Sequence, residues 1–471
     1  MHLLFVNPPS PRNRSIIRLI DCSHEAKADY LWQPSDFMLI SALLGPDDGA
    51  SLIDGTADRL GEADFFRLVA GSNPDLIVFA LSGVCWESDY RYFRKTRDRF
   101  RDKPFYVIGD IFQEEAYLSR IVQECDGVIV NPFHLDLEGM MGRSGKGLPG
   151  VRSAAEAAPA PLLREGEAPG GIPRHGLFLK KGYVFPLARR ARFATVTTVW
   201  GCPFACSYCP DSNFQPAVRP WQTVVRELEH LETLGVKELF FGDKAFGYPR
   251  ENVAPLLDEM AGRFNFSWSC YFHPQMYTAE LLELMKAAGC HTLIVGIESA
   301  NTDGLKRYGR HVDKGRIVEL VTHADRLGMS VCGDFILGLE HESEAEMLAT
   351  TRFARELPLD FASFNIAAPL PGSAFRQKAV AAGRMVFGAE GYDTLSHRGE
   401  LGISAVGYER LRALRNRAVR QFYLRPSYLL RRLRKTASIE HFVLQVSQMA
   451  GMARKSLMSA QSRPPPLTGG G

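Results

Sequence analysis

The stretch FATVTTVWGCPFACSYCPD (193–211) decides the reading of this chain. It opens on a run of Val and Thr, the composition of a strand. It then passes at Gly201 into a loop carrying Cys202, Cys206 and Cys209 in a C-x3-C-x2-C spacing. Three thiolates on one loop suit three corners of a 4Fe-4S cubane; with no fourth cysteine nearby, one iron is left without a protein ligand and is open to chemistry. A structural zinc ion would need a fourth His or Cys close in sequence, and none is there.

Downstream, apolar strand-like runs alternate with amphipathic segments: KELFFG, FSWSC, HTLIVGI, MSVCGDFIL and DFASFNIAA, separated by segments such as TAELLELMKAA. With the opening run this makes six strand–helix units between about 193 and 372, fewer than the eight of a closed barrel. The pattern predicts a partial (βα)6 barrel with its site at the strand C-termini.

Upstream, residues 1–138 alternate HLLFVN, SLID, DLIVFAL, PFYVIG and DGVIVN with helical segments. Strands made almost wholly of Val, Ile, Leu and Phe are buried on both faces, so an N-terminal doubly wound α/β domain with a parallel sheet is expected. Its ligand rim should be NPPSPRN (7–13), SGVCWES (82–88), GDIF (109–112) and NPF (131–133). Residues 139–190 read as a linker rich in Gly, Pro and Ala, with LFLKKGYVFPL (177–187) as a small hairpin. The barrel is bounded at 191–375, and 376–471 reads as a helical, basic C-terminal region whose last residues, SRPPPLTGGG, are expected to be disordered.

A formal charge of +3 is too small to imply a nucleic-acid partner. The first residues show no signal peptide and no run is long enough for a transmembrane segment, so a cytoplasmic protein is expected. Nine cysteines in 471 residues are no disulfide framework, and a reducing compartment suits a metal-binding trio.

Residues 190–375 resemble the radical S-adenosylmethionine (SAM) superfamily. The resemblance implies that SAM chelates the open iron and is split reductively to a 5'-deoxyadenosyl radical that abstracts hydrogen from substrate. It also implies an electron donor such as flavodoxin or ferredoxin, and a small-molecule or lipid-like substrate. On this likeness Tyr208 lies near the adenine, Asp243 of FFGDKAF (240–246) accepts from the methionine ammonium, and Gly296 and Glu298 of GIES (296–299) meet the ribose. His273 stands where related sequences commonly have Arg; binding cofactor, serving substrate and satisfying a buried carbonyl all stay open. Cys270 reads as a buried structural thiol rather than a substrate-side one.

The order of domains resembles the cobalamin-binding branch of the superfamily, which includes carbon and phosphorus methylases and the anaerobic Mg-protoporphyrin cyclase. That likeness implies a cobalamin-dependent methyltransferase. The rim departs from the pattern at Asp110 and at Asn131–Pro132, and no D-x-H-x-x-G is present. Radical oxidation, cyclisation or rearrangement without cobalamin is the alternative, and a non-catalytic iron–sulfur sensor or scaffold is the contrasting reading from another class.

Overall fold

In the computed structural model the described residues are 1–18, 30–143, 145–154, 171–383, 404–426, 428 and 431. The first sheet contains β1 (His2–Asn7), β2 (Gly49–Asp54), β3 (Leu76–Ala80), β4 (Phe105–Ile108), β5 (Gly127–Ile129) and β6 (Val151–Arg152), in the order β2-β1-β3-β4-β5-β6. All neighbours run parallel except β5 and β6. Alternate residues of each strand enter different cores: Leu4, Val6, Ile77 and Phe79 pack on one face, Leu3, Phe5, Leu76 and Val78 on the other. Burial on both faces is why these strands read as continuous apolar runs rather than alternating ones. The chain order reverses between β1 and β3, the switch point at which doubly wound sheets open a crevice.

The second sheet contains β7 (Ala194–Val196), with β8 (Val199–Trp200) and β9 (Ala217–Val218) forming a separate antiparallel ribbon beside it. It continues through β10 (Glu238–Phe241), β11 (Ser267–Phe272), β12 (Cys290–Glu298), β13 (Ser330–Leu337) and β14 (Phe361–Ile366). All six strands are parallel, in the order β14-β13-β12-β11-β10-β7. Helices such as Trp221–Thr233, Ala279–Ala287 and Glu344–Glu356 cover the outer face. This is the expected α/β architecture: a doubly wound sheet followed by a partial barrel.

Two expectations for 139–190 are corrected. Val151 and Arg152 extend the first sheet as its antiparallel edge rather than lying in a linker. The hairpin at 177–187 does not form: Val184 exchanges backbone hydrogen bonds with Leu31 (2.8 and 2.7 Å) instead of with a local neighbour. Burial explains the choice, because Phe178, Tyr183 and Phe185 each enter a core at long range, which a surface hairpin would forgo. Gly182 permits it, since a Cβ there would meet the carbonyl oxygen of Ala57 at 1.8 Å.

Past the barrel, the helix Tyr408–Tyr423 buries Leu411, Leu414, Ala418 and Phe422 in the barrel's outer core. The basic tail beyond it, with its expected disorder, lies outside the described residues apart from positions such as Arg431, which pairs with Asp325 and Asp360. Among the described residues no helix is long and apolar enough to cross a membrane.

Candidate active site

Residues 201–209 form a loop held by segments distant in sequence. Gly201 adopts φ 81°, and a Cβ there would meet the carbonyls of Phe214 and Gln215 at 2.8 and 2.7 Å. Ser207 N–H donates to Tyr308 O (2.8 Å), and Ser207 O accepts from Phe375 N–H (2.9 Å). The loop is therefore held mainly by the closed fold, beside its own Cys209 N–H to Cys206 O bond (3.0 Å).

The three cysteines line a cavity of about 340 Å³ at the strand ends of the second sheet. Tyr208, Gly296 and Glu298 line it as well, so the cysteine loop and the end of β12, far apart in sequence, meet at one cavity. Cys202 is pushed up to about 11 by burial and by nearby Asp211, and Cys209 rises for the same reasons, with Asp211 Oδ2 3.6 Å from its sulfur. Buried thiols beside a carboxylate suit a site that receives positive charge, as an iron–sulfur cluster would bring. Among the described residues no three His, Cys, Asp or Glu side chains converge closely enough for a single metal ion.

Glu298 ends β12 at φ 64°, in the left-handed region, where the register with β13 shifts. A non-glycine residue held there costs about 1–3 kcal/mol, and such strain concentrates at functional sites. The conformation brings its carboxylate 3.6 Å from Arg310 Nη2. Burial raises the Glu298 carboxyl, against the opposing pull of Arg310. Arg310 also donates to Gly296 O and lies 3.7 Å from Cys206 Sγ. Gly296 is needed for this close approach, because a Cβ would meet Glu298 Oε1 at 2.8 Å and Arg310 Nη2 at 3.0 Å. Arg310 was not singled out from the sequence; the signal was slight, an Arg following the left-handed Gly309, whose missing Cβ admits the carbonyl of Ala205.

Asp243 is placed differently from the expectation. It is buried away from the cavity and accepts from Thr198 N–H (2.6 Å), Val199 N–H (3.2 Å) and the Thr198 hydroxyl. Three donors from the β7–β8 turn occupy it, so it braces the approach to the cysteine loop. The neighbouring Lys244 faces the cavity instead. Cys270 is fully buried in the outer core, consistent with a structural thiol. His273 lines the cavity, stacked on Phe204 of the cysteine loop with ring centroids 3.6 Å apart.

The rim of the first sheet is built oppositely. Arg18 donates to both oxygens of Asp89 (2.9 and 2.8 Å), to Asn7 Oδ1, to Pro8 O and to Thr56 Oγ1. Asp110 accepts from Gly83 N–H (3.2 Å), joining the loops after β3 and β4. The cavity beside Arg18 is about 20 Å³, room for a single water, which needs about 10–15 Å³. The next turn reaches the barrel, where Glu114 pairs with Arg376 (2.9 Å) and accepts from Gly372 N–H (3.0 Å).

Residues 196–354 match the Radical SAM superfamily. The chain is 26% identical over 423 residues to the uncharacterized methyltransferase PH0819 of Pyrococcus horikoshii, covering 84% of this chain and 89% of that protein. It is 28% identical over 185 residues to the bacteriochlorophyllide d C-12(1)-methyltransferase of Chlorobaculum tepidum, covering 37% of this chain and 40% of that one. Among solved structures, the radical SAM methyltransferase TsrM of Kitasatospora setae, with cobalamin and a [4Fe-4S] cluster bound, superposes with a TM-score of 0.61 at 16% identity, covering 86% and 84% of the two chains. The cobalamin-dependent radical enzyme OxsB superposes with a TM-score of 0.63 at 13% identity, covering 98% of this chain and 73% of that one. The shared fold spans both sheets, and the family match covers the strands and loops that carry the three cysteines and Glu298: residues 196–354 form a radical SAM domain, of a family that uses a 4Fe-4S cluster and SAM.

Proposed function

We propose that this enzyme activates a C–H bond of a small, largely apolar substrate for methyl transfer, and that it works in the cytoplasm. A cluster bound by Cys202, Cys206 and Cys209 would supply the electron that splits SAM into a hydrogen-abstracting radical. The observation that carries the reading is the opening of these three thiols onto the same cavity as Tyr208, Glu298 and Arg310. Glu298 would accept from a ribose hydroxyl, its carboxylate facing Arg310 Nη2 at 3.6 Å. Tyr208 would flank the adenine. Phe272, Ile336 and Leu370 give the cavity an apolar wall that excludes water from a reactive radical. Reduced protein supplied with SAM should release 5'-deoxyadenosine, and Cys206→Ala should release none; an intact cluster without that product would favour the sensor or scaffold reading.

Relatives named as methyltransferases support methyl transfer, with cobalamin as the carrier in the solved neighbours. Cobalamin meets a narrower reception than the cluster at the crevice beside Arg18, where the Arg18–Asp89 pair borders a cavity of about 20 Å³. That narrow crevice favours the second reading, radical oxidation, cyclisation or rearrangement without cobalamin. Absorbance of retained corrin after anoxic incubation with cobalamin separates the two.

A further inference from the structure

His273 closes β11 and begins the short 3-10 turn Pro274–Met276. Its Nδ1 accepts the backbone N–H of Gln275 at 3.2 Å. An imidazole nitrogen that accepts carries no proton, so in the neutral ring the proton sits on Nε2. The ring is held neutral: burial first, and the positive charge of Arg310 second, press it down to about 2. Stacking on Phe204, with ring planes 20° apart, fixes the orientation.

The consequence is a single N–H donor with nothing to donate to. His273 is 7% exposed, it lines the 340 Å³ cavity, and Nε2 has no hydrogen-bond partner among the described residues. A buried donor left unmade costs about 1–3 kcal/mol, so its natural complement is an acceptor on a bound molecule. Its surroundings belong to the cluster end of the cavity: Phe204 lies between Cys202 and Cys206 in the loop, and Arg310 touches the Cys206 sulfur.

We propose that His273 donates its Nε2–H to an oxygen of bound SAM, a carboxylate or ribose oxygen, and so is a cofactor-binding residue. The inference rests on the radical SAM reading above. Its test exploits the two nitrogens of imidazole separately. His273→Asn places an acceptor near the Nδ1 position and keeps the turn, yet has no donor that reaches the Nε2 position. His273→Gln places an amide N–H where Nε2 stood. Equilibrium binding of SAM would be measured on the anoxically reconstituted enzyme, with iron and sulfide content confirming equal cluster loading. The expected result is SAM affinity weakened about tenfold in His273→Asn and restored to within about threefold of wild type in His273→Gln. Wild-type affinity in the Asn variant, or equal losses in both, would overturn the contact, since a purely structural histidine depends on Nδ1. A wild-type protein with its cluster assembled that bound no SAM at all would bring down the site reading itself, with the contact as a casualty.

Discussion

Both six-stranded sheets end at a rim of loops on their strand C-termini, and the two rims have been put to opposite uses. At the first sheet, Asn7, Arg18, Asp54, Thr56, Ser82 and Asp89 satisfy one another, and the cavity beside Arg18 is about 20 Å³. At the second, the strand ends surround about 340 Å³ and leave thiols, a strained Glu298 and a His273 donor facing it. A rim whose polar groups are mutually satisfied is a structural surface, whereas a rim with unmet polar groups is waiting for a ligand. The two sheets therefore differ less in architecture than in where the hydrogen-bond demand is met.

The comparison breaks most readily at Arg18. Arg18→Met should cost about 3–5 kcal/mol, because it leaves Asp89 buried without its countercharge, while an Arg18→Met/Asp89→Leu pair should recover most of that. Denaturant unfolding of the three proteins checks it; a single variant as stable as wild type would mean that the first rim is not closed by this pair.

Asp243 sharpens the contrast from the barrel side. Burial lifts its carboxyl to about 6 from an ordinary 3.8, despite the three donors around it. The folded chain thus holds this proton more tightly than the unfolded one. The group favours folding below about pH 4, and the advantage is lost as pH rises through 6. Against Asp243→Asn, the wild type should lose up to roughly 3 kcal/mol between pH 4 and pH 7. Unfolding midpoints of cluster-free protein across that range test it, and a pH-independent difference would contradict the burial.

The smallest effect lies where the misread hairpin meets the first rim. Tyr183 donates to Asp54 Oδ2 at 2.6 Å, while Asn7 Nδ2 and the N–H groups of Thr56 and Ala57 donate to Oδ1. Tyr183→Phe removes one donor of several and should cost about 1 kcal/mol, read as a shift in unfolding midpoint with the SAM site untouched. A change in SAM affinity would show that the two rims are coupled through the 182–185 segment.

Much of this was legible from residues alone. Apolar runs such as LLFV and LIVFA report burial on two faces locally, so the doubly wound sheet and the six-stranded partial barrel could be read off, and a cysteine trio on one short loop keeps its spacing wherever the loop goes. Residues whose role depends on long-range neighbours could not be read in the same way. Asp243 sits in the expected stretch, but whether its carboxylate turns to the cavity or to the Thr198 turn depends on the packing of two strands. Arg310 carries no local mark, and only the crossing of its loop over Gly296 and Cys206 gives it a place in the site. The segment 177–187 looked like a hairpin because turn propensity is local, while Leu31, whose isolated bridge captured it at Val184, lies about 150 residues away.

By itself, the sequence determined the alternation of strands and helices, the two-sheet order and the gathering of three cysteines on one loop, since hydrophobic period and residue spacing are properties of neighbours along the chain. Only the tertiary structure decided which rim is hollow, which acid faces the cavity and which imidazole nitrogen is left to donate. Those outcomes turn on hydrogen-bond partners and burial supplied by residues tens to hundreds of positions away.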